Sequence, residues 1–371
     1  MFQLIQIRFY PLLLTVLTVT GCSGSVKSGE GNTGNGNDLE FSDEWIIPDN
    51  EILDGGPGRD GIPSIDDPKF AEPARLNYPD ERLVIGIRSG TEIKAYPHYV
   101  MDYHEIVNDV IGDFYYALTY CPLTGTAIAW ERKRDTEFGV SGLIFRNNLI
   151  PYDRTTASRY SQMQVRGVNG PRSGSILEQV PVVQMTWSSW ERIYPDSRVL
   201  TTETGEDREY DEDLYGAGYR EENSGTLFPV THSDDRLPRK ELVHGVIWGR
   251  PAVEDAAVRV FVLEDFDRDL SLIPHEFAGG AITVAGSREH RFAVSYFNRL
   301  SDGRILEFEA VTGSLPIIMR DQLGNRWDIF GYAAEGPDRG TRLRPTFSYT
   351  GYWFAWVDFF PNLELFRPGD E

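Results

Sequence analysis

Alternation of apolar and polar residues dominates the chain from residue 83 to residue 152. A period of two is typical of strands, and it covers 83–87 and 93–97, which flank Ser89-Gly90 and predict a hairpin. Further extended runs are predicted at 104–110, 114–120, 126–131, 140–145 and 149–152. Because helices need a period near 3.6, the pattern predicts a β-rich fold.

An internal repeat is the second regularity. The template GPxxGxxL, nine residues, WxxW, four residues and Pro fits both 170–195 and 336–361. Weaker sequence similarity relates 83–86 to 242–245 and 117–121 to 293–297. The second pair of segments would align Cys121 with Phe297. The repeat predicts an α+β, predominantly β protein of two duplicated β-rich lobes, each ending in a short WxxW helix with buried tryptophans.

Changes in composition divide the chain. Residues rich in Ser, Gly and Asn precede the first aromatic-rich stretch, and an acidic stretch rich in Tyr and Gly separates the two lobes. The predicted segments are a signal segment (1–21), a flexible tether (22–40), a Gly/Pro-rich lead-in (41–79), lobe one with the candidate site (80–205), an acidic connector (206–236) and lobe two (237–366).

The first residues contain a single charged side chain, Arg8, and an apolar run follows it and ends at Val19. This run is too short for a membrane-spanning helix and is typical of a signal segment. The residues Val-Thr-Gly-Cys that end at Cys22 resemble a bacterial lipobox, which predicts cleavage before Cys22 and its lipidation. The expected location is the cell envelope, with the protein lipid-anchored on the periplasmic or outer surface. The alternative is an ordinary signal peptide with a chance cysteine.

Net charge limits the partners. The chain has 57 acidic against 36 basic residues, a formal charge of −21. Such a field repels phosphate backbones, so nucleic acid is excluded as an expected partner. The expected partners are the membrane, through lipid on Cys22, and a small ligand or metal.

Cysteine usage points to one candidate site. The chain has two cysteines, so a lipidated Cys22 leaves Cys121 without an intramolecular partner. A free thiol in an oxidising compartment is a liability unless it is buried, ligated or used. Cys121 lies one predicted hairpin from His104 and Glu105, which makes these three the candidate catalytic residues. Cys121 and His104 are also the candidate metal ligands.

Three chemistries are open to these residues. A thiolate beside an imidazole can be a nucleophile. Cysteine, histidine and carboxylate can also bind a transition metal such as copper, iron or zinc. The third possibility is a buried cysteine that acts as a small hydrophobe, with a histidine bonded by neighbouring carbonyls.

Other polar residues are candidates for ligand binding around the same position. They are Asn108, Asp109, Tyr152, Asp153 and Arg154. The sequence contains no nucleophile elbow, Walker loop, HExxH or CxxC motif, so no reaction class is indicated.

Several segments together resemble the bacterial proteins of domain of unknown function 3179. They are GGPGRDGIPSIDDPKF, RLVIGIRSGTEIKAYP, HEIVNDVIG, YCPLTGTAIAW, FGVSGLIFRNNLIPYDRTTASRYSQ, the GP and WxxW segments and RLPRKELVHGV. The resemblance implies secretion and a shared fold, and the family has no established activity. Its members usually read Tyr-Cys-Pro-Leu-Cys-Gly at 120–125, so Cys121 matches the first cysteine and Thr124 replaces the second. This departure argues against a two-thiolate metal site or a redox dithiol.

The leading expectation is therefore binding of a metal or small ligand at Cys121, His104 and Glu105, with catalysis left open. The alternative is a non-catalytic surface module that binds a glycan or a protein partner through exposed aromatic residues. Elemental analysis of the purified protein separates the two expectations, because a stoichiometric transition metal that is lost in Cys121→Ser supports the first.

Overall fold

The structure is a computed structural model that describes residues 44–369 except 211, 217 and 250–255. The predicted signal segment, the whole predicted tether with Cys22 and the first three residues of the predicted lead-in lie outside the described residues. Strands account for 41% and helices for 9%, which confirms the predicted α+β, mostly β class.

The first half of the fold, residues 80–205, contains two α-helices. They are α1 (His98–His104) and α2 (Trp187–Ile193). Its strands, with two that precede it, are β1 (Ile52–Asp54), β2 (Phe70–Ala71), β3 (Leu83–Ser89), β4 (Glu92–Pro97), β5 (Ile106–Ile111), β6 (Phe114–Cys121), β7 (Thr126–Glu131), β8 (Phe138–Phe145), β9 (Asn148–Asp153), β10 (Arg159–Ser161), β11 (Arg166–Asn169), β12 (Gln179–Val180), β13 (Val183–Thr186) and β14 (Arg198–Leu200). Short 3-10 turns lie at Asp49–Glu51 and Pro73–Arg75.

In the described residues of the second half, 237–249 and 256–366, there are one α-helix, α3 (Trp353–Phe359), and a 3-10 turn at Leu263–Asp265. Its strands are β15 (Leu242–Trp248), β16 (Ala257–Val262), β17 (Ser271–Phe277), β18 (Gly280–Ser287), β19 (Phe292–Phe297), β20 (Phe308–Ala310), β21 (Ile317–Asp321), β22 (Arg326–Asp328), β23 (Ala333–Glu335), β24 (Phe347–Tyr352) and β25 (Glu364–Leu365). The strands of the two halves form six sheets.

One sheet in each half has the same plan. In the first, the hairpin β3–β4 pairs on one side with antiparallel β13 and on the other with parallel β14. In the second, the hairpin β15–β16 pairs with antiparallel β24 and parallel β25. A WxxW helix joins the two flanking strands in both cases, α2 in one and α3 in the other. The shared plan supports the predicted duplication, which stays a prediction.

Both WxxW helices pack an indole onto a glycine. A Cβ at Gly86 would lie 2.2 Å from the ring of Trp190, and a Cβ at Gly245 would lie 2.3 Å from the ring of Trp356. Any larger residue at either glycine would displace the helix. The tryptophans of both motifs are at most 2% exposed, which confirms that they are core residues.

Strand positions favour a different correspondence within the predicted duplication. Strand β6 lies between β5 and β7 in a four-stranded sheet, and β18 lies between β17 and β19 in a three-stranded sheet. Cys121 ends β6 and Ser287 ends β18, and each is followed by a short turn. Gly125 and Arg291 end these turns with φ of 65° and 52°. Within the predicted duplication, these positions match Cys121 with Ser287, whereas Phe297 lies on an edge strand.

The two halves share their cores. Trp353 and Trp356 of the second half pack in one cluster with Trp130 and Tyr160 of the first. Trp190 of the first half packs with Phe330 of the second, their rings 6.4 Å apart. The turns take part as well: the Tyr352 amide donates to Thr124 O at 2.8 Å, and the Thr186 amide donates to His290 O at 3.1 Å. Each helix is thus held by the opposite half.

Truncation of either glycine-facing indole is expected to destabilise the whole fold. Trp190→Ala and Trp356→Ala should each lower the free energy of unfolding by about 3–5 kcal/mol, because each removes a fully buried aromatic ring. Urea denaturation measures the change. Leu227→Ala is the control, since Leu227 is 60% exposed and should change little. A loss below about 1 kcal/mol in both tryptophan variants would contradict the packing.

Candidate functional site

His104 lies at the end of a helix, and both of its nitrogens have partners. The predicted strand at 104–110 begins only at Ile106, and α1 ends at His104. Nδ1 of His104 lies 2.8 Å from Pro63 O, and Nε2 lies 2.6 Å from Tyr210 Oη. The ring is fully buried, and burial lowers its pKa. These contacts favour a structural role for His104, with one nitrogen donating to the carbonyl.

Cys121 ends β6 inside the core. The residue is fully buried, and its thiol donates to Asn147 O at 3.6 Å. Burial raises the pKa of Cys121 to about 11, and the charge of nearby Glu105 adds to the shift. The thiol is therefore protonated at neutral pH and is a poor nucleophile. The side chain packs among apolar residues of the core, which favours the third possibility, a buried cysteine that acts as a small hydrophobe.

Glu105 is the candidate that lies near Cys121. It follows α1 with φ of 57° and is 5% exposed. Its carboxyl group makes no hydrogen bond or ion pair with the described residues. Burial, and then the charge of Asp102, raises its pKa from 4.5 to about 8. The structure thus brings Glu105 and Cys121 together, whereas the His104 ring hydrogen-bonds with Pro63 and Tyr210. Across the described part of the chain, no three His, Cys, Asp or Glu residues are grouped to hold a metal.

Asn108 and Asp109 stabilise the sheet from within. The Asn108 amide donates to Asp66 at 2.7 Å and to Phe138 O at 2.8 Å. Asp109 accepts from Lys94 at 3.0 Å and from Tyr96, all buried. A buried ion pair with these extra hydrogen bonds is a self-contained network. These contacts favour structural roles for both residues.

The remaining predicted ligand-binding residues hold the Gly/Pro-rich lead-in or their own turn. The Tyr152 hydroxyl donates to Asp60, and Arg154 donates to Asp66 at 2.6 Å. Asp153 is fully buried and accepts from the amide and hydroxyl of Thr156, both at 2.6 Å. These contacts give Tyr152, Asp153 and Arg154 structural roles.

A different cleft has the features of a binding site. Its volume is about 450 Å³, within the size range of small-molecule pockets. It lies where the two halves meet. Residues from matching places in the two sheets line it: Arg82 and Glu241 precede β3 and β15, His98 and Leu263 follow β4 and β16, and Gly125 and Arg291 lie in the two turns.

Positive charge surrounds a buried imidazole in this cleft. His98 is 8% exposed, and its Nε2 is buried without a hydrogen-bond partner among the described residues. Burial lowers the pKa of His98 to about 3, and the charges of Arg220, Arg291 and Arg82 act in the same direction. The imidazole is therefore neutral at physiological pH.

The three arginines differ in whether they form ion pairs with carboxylates. Arg220 donates to both oxygens of Asp102, at 2.7 and 2.8 Å, and to Asp213 at 2.8 Å. Within the described residues, Arg82 and Arg291 form no ion pair. Guanidinium groups that line a concave site without a carboxylate partner favour binding of an anion.

Lys240 adds a buried amine to the same cleft. It is 3% exposed, donates to Tyr219 O and lies over the Tyr219 ring. Burial and then the charge of Arg220 lower its pKa from 10.5 to about 7. Two phenols also line the cleft, Tyr120 and Tyr352, and burial raises the pKa of both. Several perturbed groups in one cleft mark a candidate functional site.

Sequence reasoning missed this site. Arg220 belongs to the segment predicted as a simple connector, and it meets Asp102 across 118 residues of sequence. Lys240 stands in RLPRKELVHGV, which was informative only as a family motif. The composition of the connector could have indicated its role. It is rich in aromatic and charged residues, and a flexible linker needs neither kind of residue.

The fold is that of a mostly β protein whose two halves interlock, with a cleft between them that basic and acidic residues both line. A family model described as a protein of unknown function, DUF3179, matches residues 59–363. The chain therefore belongs to this family, which confirms the resemblance seen in its motifs. No curated protein and no solved structure matched the chain.

Replacement of Glu105 by Gln is expected to change the pH dependence of stability. The folded protein holds a proton on Glu105 that the unfolded chain releases between pH 4.5 and about 8. Stability of the wild type therefore falls as pH rises through this window. Glu105→Gln keeps the shape of the side chain without its charge. The variant should therefore become more stable than the wild type as pH rises, with a difference in the free energy of unfolding on the order of 4 kcal/mol at about pH 9.

Urea denaturation of both proteins at a series of pH values measures this difference. Near pH 4 the two stabilities should agree, because Glu105 is protonated in both states there, and this point is the internal control. A difference that stays constant from acid to alkaline pH would show that Glu105 has an ordinary pKa in the folded protein.

Proposed function

We propose that this protein binds a small anionic ligand in the cleft between its two halves. The observation that carries the proposal is the set of guanidinium groups around His98, two of which, Arg82 and Arg291, lack an ion-pair partner among the described residues. An anion would supply the missing negative charge. Charge-assisted hydrogen bonds from arginine are about twice as strong as neutral ones, so such a site gains both affinity and orientation.

The surroundings restrict the size and charge of the ligand. Exposed acidic residues lie at the cleft, namely Glu81, Glu222 and Glu264. The whole chain is also strongly acidic. A polyanion would meet repulsion from these groups, whereas a small anion can pass them and reach the arginines. Carboxylates and phosphates of small-molecule size fit these conditions.

The other expected functions have less support. A metal or nucleophile site at Cys121 and His104 needs free donor atoms, and the contacts of both side chains favour structural roles. A glycan platform formed by the paired tryptophans needs exposed rings, and these tryptophans are buried.

We also propose that the protein is lipid-anchored at Cys22 in the cell envelope. Support comes from the apolar run that ends at Val19 and the lipobox-like residues that end at Cys22. The helices in the described part of the chain are too short or too polar to cross a membrane. An anchored binding protein would hold its cleft outside the cytoplasm, where small anions from the medium arrive.

Loss of the unpaired arginines should weaken anion binding. The double variant Arg82→Gln/Arg291→Gln should bind inorganic phosphate and malonate at least tenfold more weakly than the wild type, because one charge-assisted hydrogen bond contributes about 1.5–3 kcal/mol. Isothermal titration calorimetry measures both affinities. The absence of saturable binding of either anion to the wild type would overturn the proposal.

A matched control separates this effect from the general loss of positive charge. The side chain of Arg75 is 77% exposed, and within the described part of the chain its ion-pair partner is Glu72 on the surface. Arg75→Gln removes one positive charge away from the cleft and should leave both affinities unchanged. Equal weakening in this variant and in the double variant would indicate a long-range charge effect and no anion site.

Lipid attachment is expected to depend on one residue. Cys22→Ala should abolish incorporation of a fatty-acid analogue and leave an unprocessed or released protein, because acylation needs the Cys22 thiol and the new amino end. Metabolic labelling followed by fractionation measures both effects. Equal label in the wild type and the variant would contradict the anchor.

A further inference from the structure

We propose that Lys240 is a nucleophile that forms an imine with a 2-oxo acid bound in the cleft. This inference deepens the proposed function and rests on it, because it assigns the anionic group to the arginines and a carbonyl group to the amine. The ligand class is a small molecule with a carboxylate next to a ketone or aldehyde carbon.

The position of Lys240 differs from that of an ordinary structural lysine. Within the described residues, its amine forms no ion pair, and its contact is with the carbonyl oxygen and ring of Tyr219. Lys94 provides the comparison: it is 7% exposed, but its amine lies 3.0 Å from both oxygens of Asp109. A carboxylate beside a buried amine favours the charged form of the amine, whereas a neighbouring cation disfavours it.

Arg220 supplies the neighbouring cation, and its position is held firmly. Its guanidinium is bonded to both Asp102 and Asp213, which prevents it from turning away from Lys240. A lysine that is desolvated and placed beside another cation is an activated amine. Burial and the charge of Arg220 lower the pKa of Lys240 to about 7, which favours the free amine far more than in an exposed lysine.

The cleft also contains groups that suit the rest of the ligand. A carboxylate can bind Arg82 and Arg291, which line the same cleft as Lys240. In a 2-oxo acid the carbonyl carbon is bonded directly to that carboxylate, so one small molecule can reach both. Tyr120 and Tyr352 keep their protons at neutral pH, since burial raises the pKa of both phenols, and they can hydrogen-bond the carbonyl oxygen.

The reaction balances without an added oxidant or reductant. The Lys240 nitrogen attacks the carbonyl carbon, the C=O π bond breaks, and a proton passes from nitrogen to oxygen to give a carbinolamine. A second proton then reaches the hydroxyl, the C–O bond breaks, and water leaves as the C=N bond forms. The nitrogen loses two hydrogens, and these leave with the carbonyl oxygen as one water molecule.

Borohydride trapping tests the proposal. The full-length protein is incubated with pyruvate, the smallest probe that carries both groups, and the imine is reduced with sodium borohydride to a stable secondary amine. Mass spectrometry of the intact protein should show one adduct, with the mass of pyruvic acid less one oxygen atom. Peptide mapping should place that adduct on Lys240, with Lys94 unmodified.

Two variants and one probe serve as controls. Lys240→Met keeps an unbranched stem and should abolish the adduct, with circular dichroism as the check of folding. Arg82→Gln/Arg291→Gln retains the amine and should slow trapping by pyruvate at least tenfold.

Acetone has a carbonyl group and no carboxylate, so its trapping should be slow and should not change in the arginine variant. Because mapping of the wild type reads the modified residue directly, the test does not depend on the folding of Lys240→Met.

The outcomes separate this inference from the proposed function. An adduct spread over exposed lysines such as Lys69 and Lys133, or none at all, in a protein that binds pyruvate or malonate by calorimetry would overturn the imine and leave the anion site standing. A protein that binds neither pyruvate, malonate nor phosphate would overturn both. A single adduct on Lys240 that needs the two arginines supports both.

Discussion

The contact between an indole and a glycine underlies the rest of the structure. Trp190 lies against Gly86 and Trp356 against Gly245, at distances that leave no room for a side chain. Each contact fixes the position of a WxxW helix relative to the hairpin beneath it. The strand that precedes each helix then meets a turn of the opposite half, as Tyr352 meets Thr124. The cleft is a consequence, because it forms where these crossed contacts bring the two turns together.

Charge is distributed unevenly over this framework. Some buried ionic groups are fully paired, as Lys94 is with Asp109, and these pairs belong to the structural core. Others are buried without such a partner among the described residues, and they include Glu105, His98 and Lys240. Burial of an unpaired group costs free energy, which a protein retains where function benefits from it. His98 and Lys240 both line the cleft, so electrostatics and shape point to the same place.

Fold and site differed in how well the sequence predicted them. Alternation located most strands, and the repeat placed both WxxW helices and the burial of their tryptophans. The helix that ends at His104 was missed, because its seven residues, His98–His104, are too few to show a clear helical period. The site was placed at Cys121 on the argument that a free thiol needs a purpose. Burial alone meets that need, since the thiol lies protonated in the core.

The sequence by itself determined the β-rich class, the family and the repeated motif, because these depend on local alternation and on the spacing of rare residues. Only the tertiary structure decided which polar groups act together. His104 meets Tyr210 across 106 residues, and Arg220 meets Asp102 across 118. The pKa and the accessibility of a side chain depend on burial and on the electrostatic field of all its neighbours. Those neighbours come from distant parts of the chain, so their effect exists only once the two halves have interlocked.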